Sequence, residues 1–159
     1  DHQHFPSSSF DVITMNHVIE HVNDPITLLR ECFRILKPGG RLVLATPNII
    51  GCLGYVKIGG FWSHLDPPRH LRLFTKKNLG HCAALAGFHT FNSWCAPGYA
   101  EGGAMRVSIE RRDFAAGKKR REFFQWLEAS YLKLLAYYIF FVKKNDDAGE
   151  EIFLMATKD

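Results

Sequence analysis

Asn16-His17-Val18-Ile19-Glu20-His21 gathers two imidazoles, a carboxylate and a carboxamide into one short segment. Imidazoles titrate near neutrality and can therefore carry protons. The order H-x-x-E-H also spells the inverted zinc-protease pattern. That chemistry needs both histidines one turn apart on a sustained helix, with a third ligand on another element. Here the segment follows directly on an apolar run, and Asn23-Asp24-Pro25 breaks any helix within a turn, so no metal is expected. His17 and His21 remain candidates for proton transfer, with turn or capping roles as the alternative. A second polar group, His64, Asp66, Arg69 and His70, lies in the long stretch from Ile49 to Phe74. It is suited to an anionic or hydroxyl-bearing substrate, and His64 and His70 are further candidates for catalysis. The alternative is a loop held by its own ion pairs, such as Asp66 with Arg69.

Positioning these groups requires elements on either side. Phe10 to Asn16 is a β-branched apolar run after the turn-rich Pro6-Ser7-Ser8-Ser9 and reads as a buried strand. Asp24 is a good helix N-cap and Pro25 suits the first helical position. Ile26, Leu29, Cys32, Phe33 and Leu36 then recur at helical spacing. Lys37-Pro38-Gly39-Gly40 is expected to end that helix with a basic last turn, and Arg41 to Thr46 to form a second strand, closed by Pro47-Asn48. Strand, helix and strand with tight joints make a βαβ unit with parallel strands. Ile49 to Phe74 reads as a long loop, of the kind that usually carries function. Thr75 caps a helix ended by Gly87, Phe88 to Trp94 gives a strand, Met105 to Lys144 is helical, and Glu151 to Lys158 is a last strand.

The chain has 159 residues, 47% of them hydrophobic and 23% charged, which suits one globular domain rather than a disordered tail. Its net charge of +4 is short of the basic face of a nucleic-acid binder, so no nucleic-acid partner is expected. Cys32, Cys52, Cys82 and Cys95 form no CxxC pair and read as small hydrophobes in a reducing, cytoplasmic setting. Asp1-His2-Gln3-His4 has no signal-peptide pattern and no initiator Met, so the chain is expected to begin within a longer protein.

Phe10 to Asn48 resembles the second half of the class I, Rossmann-like S-adenosylmethionine-dependent methyltransferase core. The likeness is carried by Phe10-Asp11-Val12, Glu20-His21, Asp24-Pro25, Leu36-Lys37-Pro38-Gly39-Gly40 and Pro47-Asn48 in fixed order. Trp62 to Thr75 with Ala86-Gly87-Phe88 is similar to a branch that modifies quinones, lipids or cell-surface sugars. The resemblance implies a fold class of α/β. It would be a partial Rossmann-like methyltransferase sheet of the later strands only, mostly parallel with a last antiparallel strand. A helical segment is inserted over 105–145 within a single domain, 1–159.

By the same resemblance S-adenosylmethionine is the cofactor. Asn16, His17 and Val18 would border its methionine and sulfonium, Asp1 its adenine amino group, and Pro47-Asn48 the same sheet edge. A plain strand-ending turn is the alternative for the last pair. The family's glycine-rich loop and ribose-binding acid have no counterpart before Phe10, so half of the cofactor site is expected here. The activity implied is methyl transfer to a small-molecule, lipid-like or sugar acceptor. The alternative is a non-catalytic half-domain for binding or self-association.

Phe123 to Val142 has membrane-like length, but Gln125, Glu128, Ser130 and Lys133 interrupt it, and a charge at mid-bilayer costs roughly 2.5–3.5 kcal/mol. A spanning helix is therefore not expected. Core packing, a lid, a dimer face, or an interfacial helix with Lys118 to Arg121 against anionic lipid all fit the pattern. The partners compatible with the sequence are thus a small acceptor, a membrane surface, and a second copy through an open sheet edge or the aromatic helix.

Overall fold

The computed structural model describes residues 4–50, 57–62, 65–96, 102–142, 144–145 and 147–159. Asp1, Cys52 and His64 lie outside them.

Strand β1 (Phe10–Asn16) leads through a single 3-10 turn, Ile19–His21, into helix α1 (Pro25–Ile35). As expected, the Asp24 carboxylate accepts hydrogen bonds from the Thr27 amide (3.0 Å) and hydroxyl (2.7 Å), with Pro25 at the first helical position. These bonds hold the Asp24 carboxyl below its usual range. The helix stops at Ile35, earlier than the Lys-Pro-Gly-Gly signal predicts, and Arg34 is the basic residue of its last turn. Leu36 is already extended, because Pro38 disfavours helical backbone at Lys37 and the chain opens ahead of it. Strand β2 therefore runs from Leu36 to Pro47, with Gly39 left-handed (φ +77°).

Ile49 to Phe74 is looped apart from short turns, one of them at Gly59–Phe61. Helix α2 (Lys76–Ala86) begins with a reciprocal capping box between Thr75 and Asn78 and ends on left-handed Gly87 (φ +109°). Strand β3 covers Thr90–Ala96 rather than starting at Phe88, because its ladder with strand β4 (Glu151–Thr157) opens at the Thr90–Thr157 pair, while Lys158 bonds back to Gly39 and Gly40 of β2 and Phe88 is buried in the core.

The sheet order is β1-β2-β4-β3. β1 and β2 are parallel, while β4 is antiparallel to both β2 and β3. Three strands thus run one way and the last runs against them, as expected, and β1 is an open edge. Alternation along the strands divides the faces. Met15, Leu42, Leu44, Ile152, Leu154 and Ala156 point to one side, where Leu29 and Cys32 of α1 and Leu79 and Ala83 of α2 complete the core. Burial pushes the Cys32 thiol up to about 11. Both helices cover the same face. On the opposite face Val12 stays 54% exposed and Trp94, stacked on Phe153 at 5.6 Å, 40%.

Helices α3 (Gly102–Ala115) and α4 (Glu122–Tyr137) form a hairpin, extended by a π-turn over Tyr138–Val142. Met105, Ile109, Ala129 and Leu132 pack with Ile58 and Trp62 of the loop into a second core. A polar knot locks it. Arg112 donates to both oxygens of Glu128 (2.8 and 3.1 Å), Arg120 joins Glu128 at 2.5 Å, and Gln125 donates to buried Asp113 at 3.3 Å.

The Arg112 hydrogen bonds, with those of Arg120, hold Glu128 at about 2. A carboxyl depressed on folding stabilises above its ordinary pKa and loses that contribution as pH falls towards the folded value. Between about pH 4.5 and 2 the hairpin is therefore expected to lose on the order of 1–3 kcal/mol, allowing for screening at a partly exposed site. Amide exchange across α3 and α4 would follow the loss. Glu128→Gln should make the hairpin weaker at neutral pH and flatten the acid dependence; an unchanged acid profile would refute the assignment.

Candidate functional site

In open sheets ligands collect beyond the carboxyl ends of parallel strands. At that edge lie Asn16, ending β1, Pro47, ending β2, and Glu151, the first residue of antiparallel β4 and the register partner of Pro47. A pocket of about 330 Å³ opens here on the face away from the helices. Its walls include Thr14, Val43, Ala45 and Phe153, and Asn16, His17 and Glu151 are also in its lining.

His17 turns the chain out of the strand with left-handed backbone (φ +51°), which costs a non-glycine residue energy. Its amide still donates to the Ala45 carbonyl at 3.0 Å, prolonging the ladder by one bond. Its imidazole stands between two carboxylates: Nε2 is 3.1 Å from Glu151 Oε1 and Nδ1 is 3.2 Å from Glu20 Oε1.

Glu20 is the centre of the arrangement. It is 1% exposed, and its Oε2 accepts the Thr46 hydroxyl at 2.9 Å. Oε1 is buried without an aligned hydrogen bond, facing His17 and, at 3.9 Å, Nε2 of His21. The Glu20 carbonyl accepts the amides of Leu71 (2.8 Å) and Arg72 (3.1 Å), tying the 3-10 turn to the long loop. His21 is held from that loop too: its Nδ1 meets the Arg69 carbonyl at 2.9 Å, an N–H···O bond that leaves Nε2 without the proton in the neutral ring. The His21 and His70 rings are 4.8 Å apart, and ligand atoms of Glu20, His21 and His70 lie within 4.8 Å of one another. H-x-x-E-H occupies a strand exit and one 3-10 turn, not a sustained helix.

The other sequence candidates distribute as follows. Val18 is exposed beside His17. Asp66 and Arg69 pair with each other at 2.6 Å. His70 lines a narrow cleft on the far side of Glu20, with Ile49, Trp62, Arg72 and Leu73. Asn48 borders the same cleft, yet its carboxamide nitrogen is committed to the carbonyls of Asp147 (2.9 Å) and Gly149 (2.8 Å), clamping the approach to β4. Gly149 is required there, since a Cβ would come within 2.5 Å of the Ala96 carbonyl oxygen. Sequence reasoning named Glu20 only within the motif, with no role for its side chain, and overlooked Glu151. The first had a signal, a lone acid next to the strand exit in an apolar setting; the second, far along the chain, had none.

A family model described as a methyltransferase domain matches residues 1–91. The ubiquinone biosynthesis O-methyltransferase of Xanthomonas oryzae is 50% identical over 42 residues, 26% of this chain and 18% of that protein. The enzyme of the same name from Pseudomonas fluorescens is 49% identical over 39 residues, 24% and 17% of the two chains. The aligned segment thus spans under a fifth of the length of these relatives. Among solved structures, an S-adenosylmethionine-dependent methyltransferase from Thermotoga maritima superposes over 98% of this chain and 58% of its own, with a TM-score of 0.58 and 18% identity. Another, from Archaeoglobus fulgidus, matches 97% of this chain and 62% of its own, with a TM-score of 0.54 and 14% identity. At such identities these structures establish the fold. The family match covers more than half of the sequence and includes β1, α1, β2 and the strand-exit turn, so the chain belongs to the methyltransferase domain family.

Proposed function

We propose that the full-length protein works in the cytoplasm and transfers a methyl group from S-adenosylmethionine to an oxygen of a small hydroxyl-bearing, lipid-like or sugar acceptor. The observation that carries this reading is Glu20 Oε1, a buried carboxylate oxygen without an aligned hydrogen bond, set between two imidazoles beside the pocket.

The pocket suits the amino-acid end of the donor, with apolar walls and, for an ammonium, the Glu151 carboxylate and the Asn16 carboxamide in its lining. When bound, S-adenosylmethionine supplies a methyl group activated on a sulfonium. A hydroxyl acceptor must give up its proton as its oxygen bonds to the methyl carbon. With the Glu151 carboxylate taken up by the donor's ammonium, His17 Nε2 would be the pocket nitrogen able to receive the acceptor's hydroxyl proton. Glu20, at Nδ1, would stabilise the imidazolium so formed, the role of the carboxylate in a catalytic triad. Cytoplasmic placement is supported by three free cysteines among the described residues.

Calorimetric titration of the full-length protein with S-adenosylmethionine and S-adenosylhomocysteine tests the proposal. Micromolar binding of both is expected; absence of binding to either would overturn it. A second reading, a non-catalytic module that self-associates through β1, is favoured by the place of β1 at one end of the strand order among the described residues. It predicts a dimer that binds neither compound.

A further inference from the structure

Helix α4 is apolar on two sides. Its inner side buries Gln125, Ala129 and Leu132 against α3 and the loop. Its outer side carries Phe123 (63% exposed), Trp126, Leu127, Tyr131, Leu134 (70%) and Tyr137. At about 100° per residue these six fall within an arc of about 140°. Ser130 is the one polar residue in that arc. Phe114, at the end of α3, is 89% exposed. Soluble domains rarely leave so contiguous an apolar patch to water.

The surroundings favour one occupant. Lys118-Lys119-Arg120-Arg121 enters the helix directly. Arg120 is spent on Glu128, but Lys118, Lys119 and Arg121 are exposed with no ion-pair partner among the described residues. No acid lies within the aromatic arc and the nearest exposed one is Glu122, so a symmetric copy would bring three cations against a single carboxylate. Tyrosine and tryptophan mixed with phenylalanine and leucine, edged by lysine and arginine, is the pattern of a surface seated at headgroup depth. Among the described residues no helix is long and apolar enough to cross a membrane.

We propose that the outer face of α4 seats in the headgroup layer of an anionic bilayer, with its aromatic side chains inserted and Lys118, Lys119 and Arg121 against lipid phosphates. Trp62 belongs both to the core beneath α4 and to the cleft beside Glu20, so the docked face is one layer of side chains from that cleft.

Flotation of the full-length protein with phosphatidylcholine vesicles, with and without phosphatidylglycerol, reads this directly and needs no methyl donor. The wild type is expected to float with the anionic vesicles. Lys118→Glu/Lys119→Glu/Arg121→Glu should weaken partitioning by about fivefold or more for each cation lost. Phe123→Ser/Leu127→Ser/Leu134→Ser, all at exposed positions, should abolish flotation while the melting temperature holds. Failure of the wild type to float, or equal flotation with neutral vesicles, would overturn the proposal. So would a dimer in light scattering that the serine substitutions dissociate, because a second copy would then occupy the face.

Discussion

Glu20→Gln in the full-length protein is expected to lower kcat by roughly 10²–10⁴-fold, the usual contribution of a positioned acid–base group, with binding of S-adenosylmethionine unchanged. The substitution keeps the side chain's size and an oxygen for the Thr46 hydroxyl. It leaves untouched the main-chain carbonyl that anchors Leu71 and Arg72. What it removes is the negative charge 3.2 Å from His17 Nδ1. His17→Gln should cost about as much, and the double variant little more than either, since groups that act as one unit are not additive. The readout is a steady-state rate with a pH profile. A Glu20→Gln enzyme at full rate would mean that proton transfer runs elsewhere and would sink the role given to His17.

Phe88→Ala should be the most damaging change in the core of the sheet. Phe88 is fully buried at the joint between α2 and β3 and meets Phe33 of α1 edge to face at 5.1 Å. Truncation leaves a cavity shared by the two helices and the sheet, at a cost of about 3–5 kcal/mol. At roughly 2–4 °C per kcal/mol for a domain of this size, the melting temperature should fall by about 6–20 °C. Phe114→Ala, at a side chain 89% exposed, serves as the control and should move it hardly at all. Calorimetric melting of the two variants side by side decides the matter. Equal shifts would contradict the division into core and surface.

The elements legible in the sequence were those fixed by local chemistry. Asp24-Pro25 and Thr75 announce helix starts because a side-chain oxygen must meet an amide that the helix leaves unpaired, and both do so. Strand β4 and the strand direction followed from apolar runs and from the resemblance. Of the boundaries that moved, the end of α1 was set locally by Pro38, whereas the start of β3 was set by a distant partner, the pairing of Thr90 with Thr157. The site divided in the same way. His17 was visible as a polar residue at a strand exit. Glu20 gains its place from His17's left-handed turn close by and from two partners that its neighbours in sequence do not encode, Thr46 and the amides of a loop some fifty residues on. Asn48, at the same edge, is a structural clamp for a like reason: the carbonyls of Asp147 and Gly149 that it binds lie about a hundred residues away.

The left-handed backbone at His17 has a bearing on how this domain could be improved and where it must be left alone. A glycine would adopt φ +51° without penalty and keep the amide bond to Ala45, so any search for higher stability is drawn to this position. An imidazole held there spends fold energy on placing one ring between two carboxylates, the local exchange of robustness for chemistry that selection tolerates only at working positions. Stabilised versions of this protein should therefore be drawn from exposed positions away from the pocket, such as Leu85 on α2, with residue 17 excluded from the design.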